Sequence, residues 1–202
     1  MPKLGMEPIR REQICRAAAT VIAREGFAGT TLRKVADEAG VSTGMLNHYF
    51  SNRQDLLTQT LVFVSERTQG KAQVAMEDLP AGLPRLEGLL YSALPTDVSM
   101  NEGWRVWINA YGEAVHLPGL RSTIEDRLQL WYPILDHALE GLVSPEAPGS
   151  LPWSWRLDAI INGLAIQALT SEAPLAPELI RDEVIRMLLP GADAGANGAG
   201  PA

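Results

Sequence analysis

The 202-residue sequence predicts an all-α protein, and three observations carry that prediction. Apolar residues recur at three- and four-residue steps in almost every segment, the spacing that lines one face of a helix. No strand-rich region with alternating apolar and polar residues interrupts them. Glycine or proline separates the periodic runs, as expected where helices stop and start.

The first helix is expected from Ile9 to Glu25, with Ile14, Ala18, Val21 and Ile22 inward and Gly26 closing it. Thr31 can cap a second helix, in which Leu32, Val35, Ala36 and Ala39 form the apolar stripe before Gly40 ends it. Ser42 can cap a third helix only two residues later. A link as short as Gly40-Val41 leaves no room for the two helices to lie antiparallel, which is the spacing of a helix-turn-helix. A fourth helix begins near Asn52 with Leu56, Leu57, Leu61 and Val64 inward.

Beyond it the punctuation turns to proline, and further helices are expected near 82–94, 99–116, 119–142, 153–172 and 177–189. Pro133 falls inside one of these runs and should kink or split it. The tail from 191 to 202, small residues with Asp193 as its one charge, reads as disordered.

Charge divides along the chain. Residues 1–55 hold eight Lys/Arg against six Asp/Glu, whereas the remainder holds nine against eighteen. The N-terminal part is therefore the one suited to a polyanion. No apolar run approaches the roughly 20 residues that span a bilayer, and the N-terminus lacks the apolar core of a secretory signal. One cysteine, Cys15, excludes an internal disulfide and suits a reducing compartment, so a cytoplasmic protein without membrane contact is expected.

The third helix carries groups fit for reading DNA. Ser42 and Thr43 place hydroxyls at a helix N-terminus, where free N–H groups and the dipole favour a phosphate. Gly44 allows close approach, Met45, Asn47 and His48 offer one apolar and two polar tips, and Tyr49 has a hydroxyl on a rigid ring. Arg53 opens the next helix with a positive charge. An ordinary helical corner would show much of the same pattern.

The stretch "TTLRKVADEAGVSTGMLNHYFSNRQDLL", Thr30 to Leu57, resembles the DNA-binding signature of the TetR family of transcriptional repressors. The resemblance runs through Thr31, Val35, Ala36, Ala39, Gly40, Val41, Ser42, Gly44, Leu46, Tyr49, Phe50 and the Leu56-Leu57 pair. The opening "MPKLGMEPIRREQI" is similar to the start of the betaine-inhibitor branch, whose members repress choline-to-glycine-betaine genes.

The resemblance implies a three-helix DNA-binding domain over 1–55 and a helical effector-binding and dimerisation domain over 56–190. It makes Thr31, Ser42, Tyr49 and Arg53 phosphate contacts, and sets Thr43, Gly44, Met45, Asn47 and His48 at or beside the bases. Leu46 and Phe50 would face inward. Asn47 stands where an aromatic is frequent, and Arg53 where lysine is usual. The implied partners are a double-stranded DNA operator, a small-molecule effector and a second copy of the chain. That copy would dock through the last two long helices, where Leu157, Ile160, Ile161, Leu164 and Leu169 form a broad stripe.

Trp104, Trp107 and Tyr111 share one helix face at i, i+3 and i+7, with Trp131 on the next helix and Glu113 nearby. Aromatic faces beside carboxylates suit a quaternary ammonium, and with the opening that is similar to the betaine-inhibitor branch they make choline or another organic cation the expected effector. Tryptophans at this spacing also serve as ordinary core.

Glu113 and His116 have a metal-ligand spacing, but no second such pair follows. No nucleophile elbow, phosphate loop or zinc spacing appears, so neither an enzyme nor a metal or cofactor is expected. The competing reading is a helical ligand- or metal-binding protein that never meets DNA.

Overall fold

The computed structural model describes residues 6–95, 97–146, 148–172 and 176–188, and the tail expected to be disordered lies outside them. The described residues form helices joined by turns and loops, in the order α1 (Met6–Gly29), α2 (Leu32–Ala39), α3 (Thr43–Tyr49), α4 (Arg53–Met76), α5 (Leu83–Ala93), α6 (Val98–Ala114), α7 (Pro118–Leu139), α8 (Trp153–Thr170) and α9 (Pro177–Leu188). They pack as two compact units, one of Met1–Gly70 with Asp97–Trp131, the other of Lys71–Thr96 with Tyr132–Ala202. Helices α4 and α7 each contribute to both units.

In the first unit α1 buries Ile14, Ala17, Ala18 and Val21 against Val35, Ala36 and Ala39 of α2, and against Leu46, Phe50 and Leu56. The other face of α1, with Ala19, Ile22 and Phe27, packs with Leu57, Leu61 and Val64 of α4 and with Val106, Ala110 and Ala114 of α6. The helix-turn-helix and the first unit's α6 are thus built on two sides of one helix.

The ends of the short helices are fixed by side chains chosen for it. Thr31 accepts the Lys34 N–H at 3.3 Å to start α2. Gly40 ends that helix at φ 66, a left-handed turn that a β-carbon would strain, and Val41 N–H closes back on the Ala36 carbonyl at 3.0 Å. Ser42 accepts the Met45 N–H at 3.1 Å to start α3. At the start of α4, Asn52 Oδ1 accepts the Asp55 N–H at 2.9 Å, and Asp55 Oδ2 accepts from the Ser51 N–H and hydroxyl at 2.9 and 3.0 Å. This reciprocal cap holds the exit from α3 rigid.

Two sequence expectations are sharpened. Gly26 takes φ 71, as a helix-ending glycine does, yet helical turns resume and α1 extends to Gly29. Pro133 does not split its helix, because α7 runs unbroken through it. Proline removes the bond to the Gln129 carbonyl, but both residues are exposed, so water can take that bond's place.

In the second unit, Leu86, Leu89 and Leu90 of α5, Leu135 and Ala138 of α7, Leu157, Ile161 and Ala165 of α8, and Ile180, Val184 and Leu188 of α9 are buried. Arg85 closes the end of α7, donating to Glu140 Oε2 at 2.6 Å and to the His137 carbonyl at 3.3 Å, while its Nη2 reaches the Leu79 carbonyl at 3.2 Å.

Candidate nucleic-acid interface and ligand face

Helix α3 is a short amphipathic rod seated by Leu46 and Phe50, which are 0 and 1% exposed. Ser42, Thr43, Gly44, Met45, Asn47 and His48 are all exposed, and together they make the outward face of the helix. Tyr49 is half-buried, its ring packed on the core of the head and set edge-on to His48 at 5.3 Å. The ring is thereby anchored while the phenol oxygen sits at its far end.

The two capping hydroxyls have a useful chemistry. Thr31 and Ser42 each accept a backbone N–H, which uses a lone pair and leaves the O–H proton available to donate. A phosphate oxygen, which only accepts, is the matching partner. Seven of the nine residues expected at a DNA surface, Thr31, Ser42, Thr43, Gly44, Met45, Asn47 and His48, are thus exposed, and Tyr49 is half-buried beside them.

Arg53 is placed differently. Its Nε donates to the Thr30 carbonyl at 2.7 Å, and its Nη2 donates to the Phe27 carbonyl. Only Nη1 is without a hydrogen bond among the described residues. A guanidinium can fork onto two carbonyls where an ammonium cannot, so this arginine clamps the loop between α1 and α2.

The remaining charges of the head sort into two groups. Lys34 pairs with Glu25 and donates to the Gly29 carbonyl at 2.9 Å. That ammonium holds the Glu25 carboxyl below its ordinary range, helped by Arg24. Arg24 bridges Glu25 and Glu38 at 3.3 and 3.2 Å. In contrast, Arg33 on α2 is exposed with no ion pair among the described residues, and Arg11 on α1 lies 5.2 Å over the Phe50 ring at the end of α3. These two cations were passed over in the sequence, since neither sits in the recognition helix. The fold sets Arg11 beside that helix's C-terminal end.

The aromatic residues of α6 are half-buried, as are Glu113 and Trp131. Trp107 and Tyr111 form a tilted pair 5.4 Å apart and pack on the core shared by α1, α4 and α6. Those two rings therefore do structural duty, and the structure brings them together as the helical spacing implied. Trp104 stands one turn earlier on α6, and Trp131 closes the first unit's share of α7. Phe63 of α4 packs on the same core between two cations, Arg16 at 5.9 Å and Arg67 at 5.5 Å. Among the described residues no three His, Cys, Asp or Glu side chains gather as a metal site. Cys15 lies in the core of the head, where burial pushes its thiol up to about 11.

On α8 and α9 the expected apolar stripe divides. Leu157, Ile161 and Ala165 are buried within the unit, and Ile160, Leu164 and Leu169 are half-buried. Trp155, Ile166, Leu179 and Met187 are exposed. Trp155 is stacked on Tyr132 at 5.5 Å, which holds its large ring in place at the surface. No helix among the described residues is long and apolar enough to cross a membrane.

Comparison with known proteins agrees with this arrangement. Residues 14–60 match the family described as bacterial regulatory proteins, tetR family, and residues 83–190 match the BetI-type transcriptional repressor, C-terminal family. The HTH-type transcriptional regulator BetI of Escherichia coli O17:K52:H18 is 30% identical over 183 residues, covering 87% of this chain and 90% of that protein. A transcriptional regulator from Rhodococcus sp. Rha1 superposes with a TM-score of 0.77 at 27% identity, covering 92% of this chain and 99% of that one. A putative transcriptional regulator from Saccharomonospora viridis, solved in complex with choline, has the same fold, with a TM-score of 0.76 at 23% identity and coverage of 90 and 96%. The chain belongs to the TetR family of ligand-responsive transcriptional repressors and is of the BetI type in its C-terminal part.

Proposed function

We propose that residues 1–55 form one of two identical DNA-reading heads of a homodimer on a near-palindromic operator. Residues 56–190 bind the effector and supply the dimer contact. The observation that carries the reading is the division of α3: Leu46 and Phe50 are buried while Ser42 to Met45, Asn47 and His48 are exposed. Thr31, Ser42 and Tyr49 donate to phosphates, and Arg11 and Arg33 add cations on either side. Thr43, Gly44, Met45, Asn47 and His48 meet the major groove, whose base edges carry a readable pattern of donors and acceptors. Arg53 acts chiefly by holding the loop that presents Thr31, with Nη1 left for a phosphate.

Dimerisation through α8 and α9 is supported by the exposed apolar residues Trp155, Ile166, Leu179 and Met187, which a second copy would cover. A two-fold dimer places its recognition helices in successive major grooves. A repressor acting on chromosomal DNA in this way would work in the cytoplasm.

The effector is an organic cation of the choline type, held against Trp104, Trp107, Tyr111 and Trp131 with Glu113 supplying negative charge. The cation–aromatic attraction favours this class, and the choline complex of the structural neighbour supports it. Its binding lowers operator affinity by biasing the setting of α4, and with it the spacing of the two heads.

Retardation of the DNA upstream of its own gene, at two salt concentrations, tests the core of the reading. Specific binding that weakens steeply with salt is expected. Absence of any retarded species at low salt would overturn it. Titration of tryptophan fluorescence with choline, betaine aldehyde and polyamines tests the effector, and silence towards all three with a folded protein would reject the cation.

A further inference from the structure

The loop from Gly26 to Thr30, which delivers the chain into α2, is gripped by side chains from two other helices. Gly26, at φ 71 and ψ 174, turns the following peptide out of the helical ladder. The N–H of Phe27, a residue 3% exposed, then has no carbonyl of its own helix to bond. Asn109 of α6 answers it: its Oδ1 accepts the Phe27 N–H at 3.0 Å, across 82 residues. The amide is oriented by its own helix, because Nδ2 donates to the Arg105 carbonyl at 2.8 Å.

The fit around that oxygen is close. A β-carbon at position 26 would lie 3.1 Å from Asn109 Oδ1, so glycine there serves both the backbone turn and the approach of α6. From the other side Arg53 of α4 holds the carbonyls of Phe27 and Thr30. Within the loop, Thr30 donates its hydroxyl to the Gly26 carbonyl at 2.7 Å. The next residue, Thr31, is the cap of α2.

A buried N–H without an acceptor is costly, so the setting of the loop is tied to that of Asn109. We infer that Asn109 is the positioning residue through which α6 sets the helix-turn-helix. The same helix carries Trp104, Trp107, Tyr111 and Glu113, so a displacement of α6 reaches the loop before α2 at the Asn109–Phe27 hydrogen bond, beside the apolar packing of α6 on α1. The second half of this statement rests on the proposed effector face; the first half does not.

The test uses the full-length dimer with Asn109→Leu, which removes the acceptor at similar size, and Asn109→Asp, which keeps it. Should Asn109→Leu not fold, Asn109→Ala carries the same expectations. Amide exchange over residues 26–50 and operator affinity at fixed salt are measured first, without effector. Asn109→Leu should exchange faster through α2 and α3 as well as at Phe27, and bind operator about tenfold more weakly; Asn109→Asp, which keeps the acceptor but loses the Nδ2 bond to the Arg105 carbonyl, should recover part of both. Faster exchange confined to Phe27, with operator affinity within about twofold of the parent, would overturn the assignment.

Choline chloride is then added. If it loosens the parent from operator, Asn109→Leu should bind choline within about twofold of the parent yet lose most of that response. An unchanged response would reject the relay. If the parent itself ignores choline, choline falls as the effector, and Asn109 stands or falls on the exchange and affinity data.

Discussion

Arg53 Nε lies 2.7 Å from the Thr30 carbonyl oxygen, joining the start of α4 to the loop before α2 across 23 residues. Its second bond, to the Phe27 carbonyl, makes the guanidinium a two-point clamp. Hydrogen bonds to charged groups are worth about 1.5–3 kcal/mol each. Arg53→Met should therefore lower stability by a few kcal/mol, seen as an earlier urea midpoint, and Arg53→Lys should recover only part. A variant with parental stability and weak DNA binding would show that the charge acts mainly on DNA.

Asn47 and Tyr49 should separate reading from gripping. Asn47 is exposed on α3, and an asparagine paired bidentately with adenine is worth about 1–3 kcal/mol of discrimination. Asn47→Ala should flatten the preference at one operator position. Tyr49→Phe keeps the packed ring and removes only the hydroxyl, so it should weaken binding to every sequence alike, by about 0.5–1.5 kcal/mol. A panel of single-base operator variants measured at one salt concentration distinguishes the two, and identical profiles would refute the division.

Cys15 gives a signed prediction for alkaline pH. Its thiol is pushed up to about 11, chiefly by burial, from an ordinary value of 9.0. Below pH 9 the thiol is protonated in both folded and unfolded chains and contributes no pH dependence. Between about 9 and 11 the unfolded chain releases the proton and the folded one keeps it, so this group's contribution to stability falls as pH rises. The fall is at most about 1.4 kcal/mol per pH unit. Urea unfolding from pH 8 to 10.5 should show a steeper decline for the parent than for Cys15→Ala. The same burial should leave the native thiol inert to iodoacetamide at pH 8.

How far the sequence discloses this molecule depends on the range of each interaction. The limits of α2 and the start of α3 were legible because their signals are local: Thr31, Gly40 and Ser42 cap within four residues of themselves. Leu46 and Phe50 could be read as inward because a helix's period fixes which residues share a face. Arg53 could not be read as a clamp, since its partners Phe27 and Thr30 lie 26 and 23 residues away. Asn109 was invisible for the same reason. Gly26 advertised a broken helix and hence an N–H in need of an acceptor, but nothing local says which helix supplies it. Trp107 and Tyr111 illustrate a different limit: the spacing that aligns rings for a ligand also aligns them for packing, and these half-buried rings pack on the core while keeping part of their surface open.

The caps of α2 and α3 carry a consequence for which mutations selection could keep. Carboxylates cap helices as well as hydroxyls do, and they also gain from the positive end of the helix dipole. Ser42→Asp should thus raise the melting temperature. It would also remove the side-chain donor at that position and set a negative charge against phosphate, so operator binding should collapse. With the proposed phosphate contact, serine at 42 would be a compromise between folding and recognition, and a screen for thermal stability alone would discard the function first.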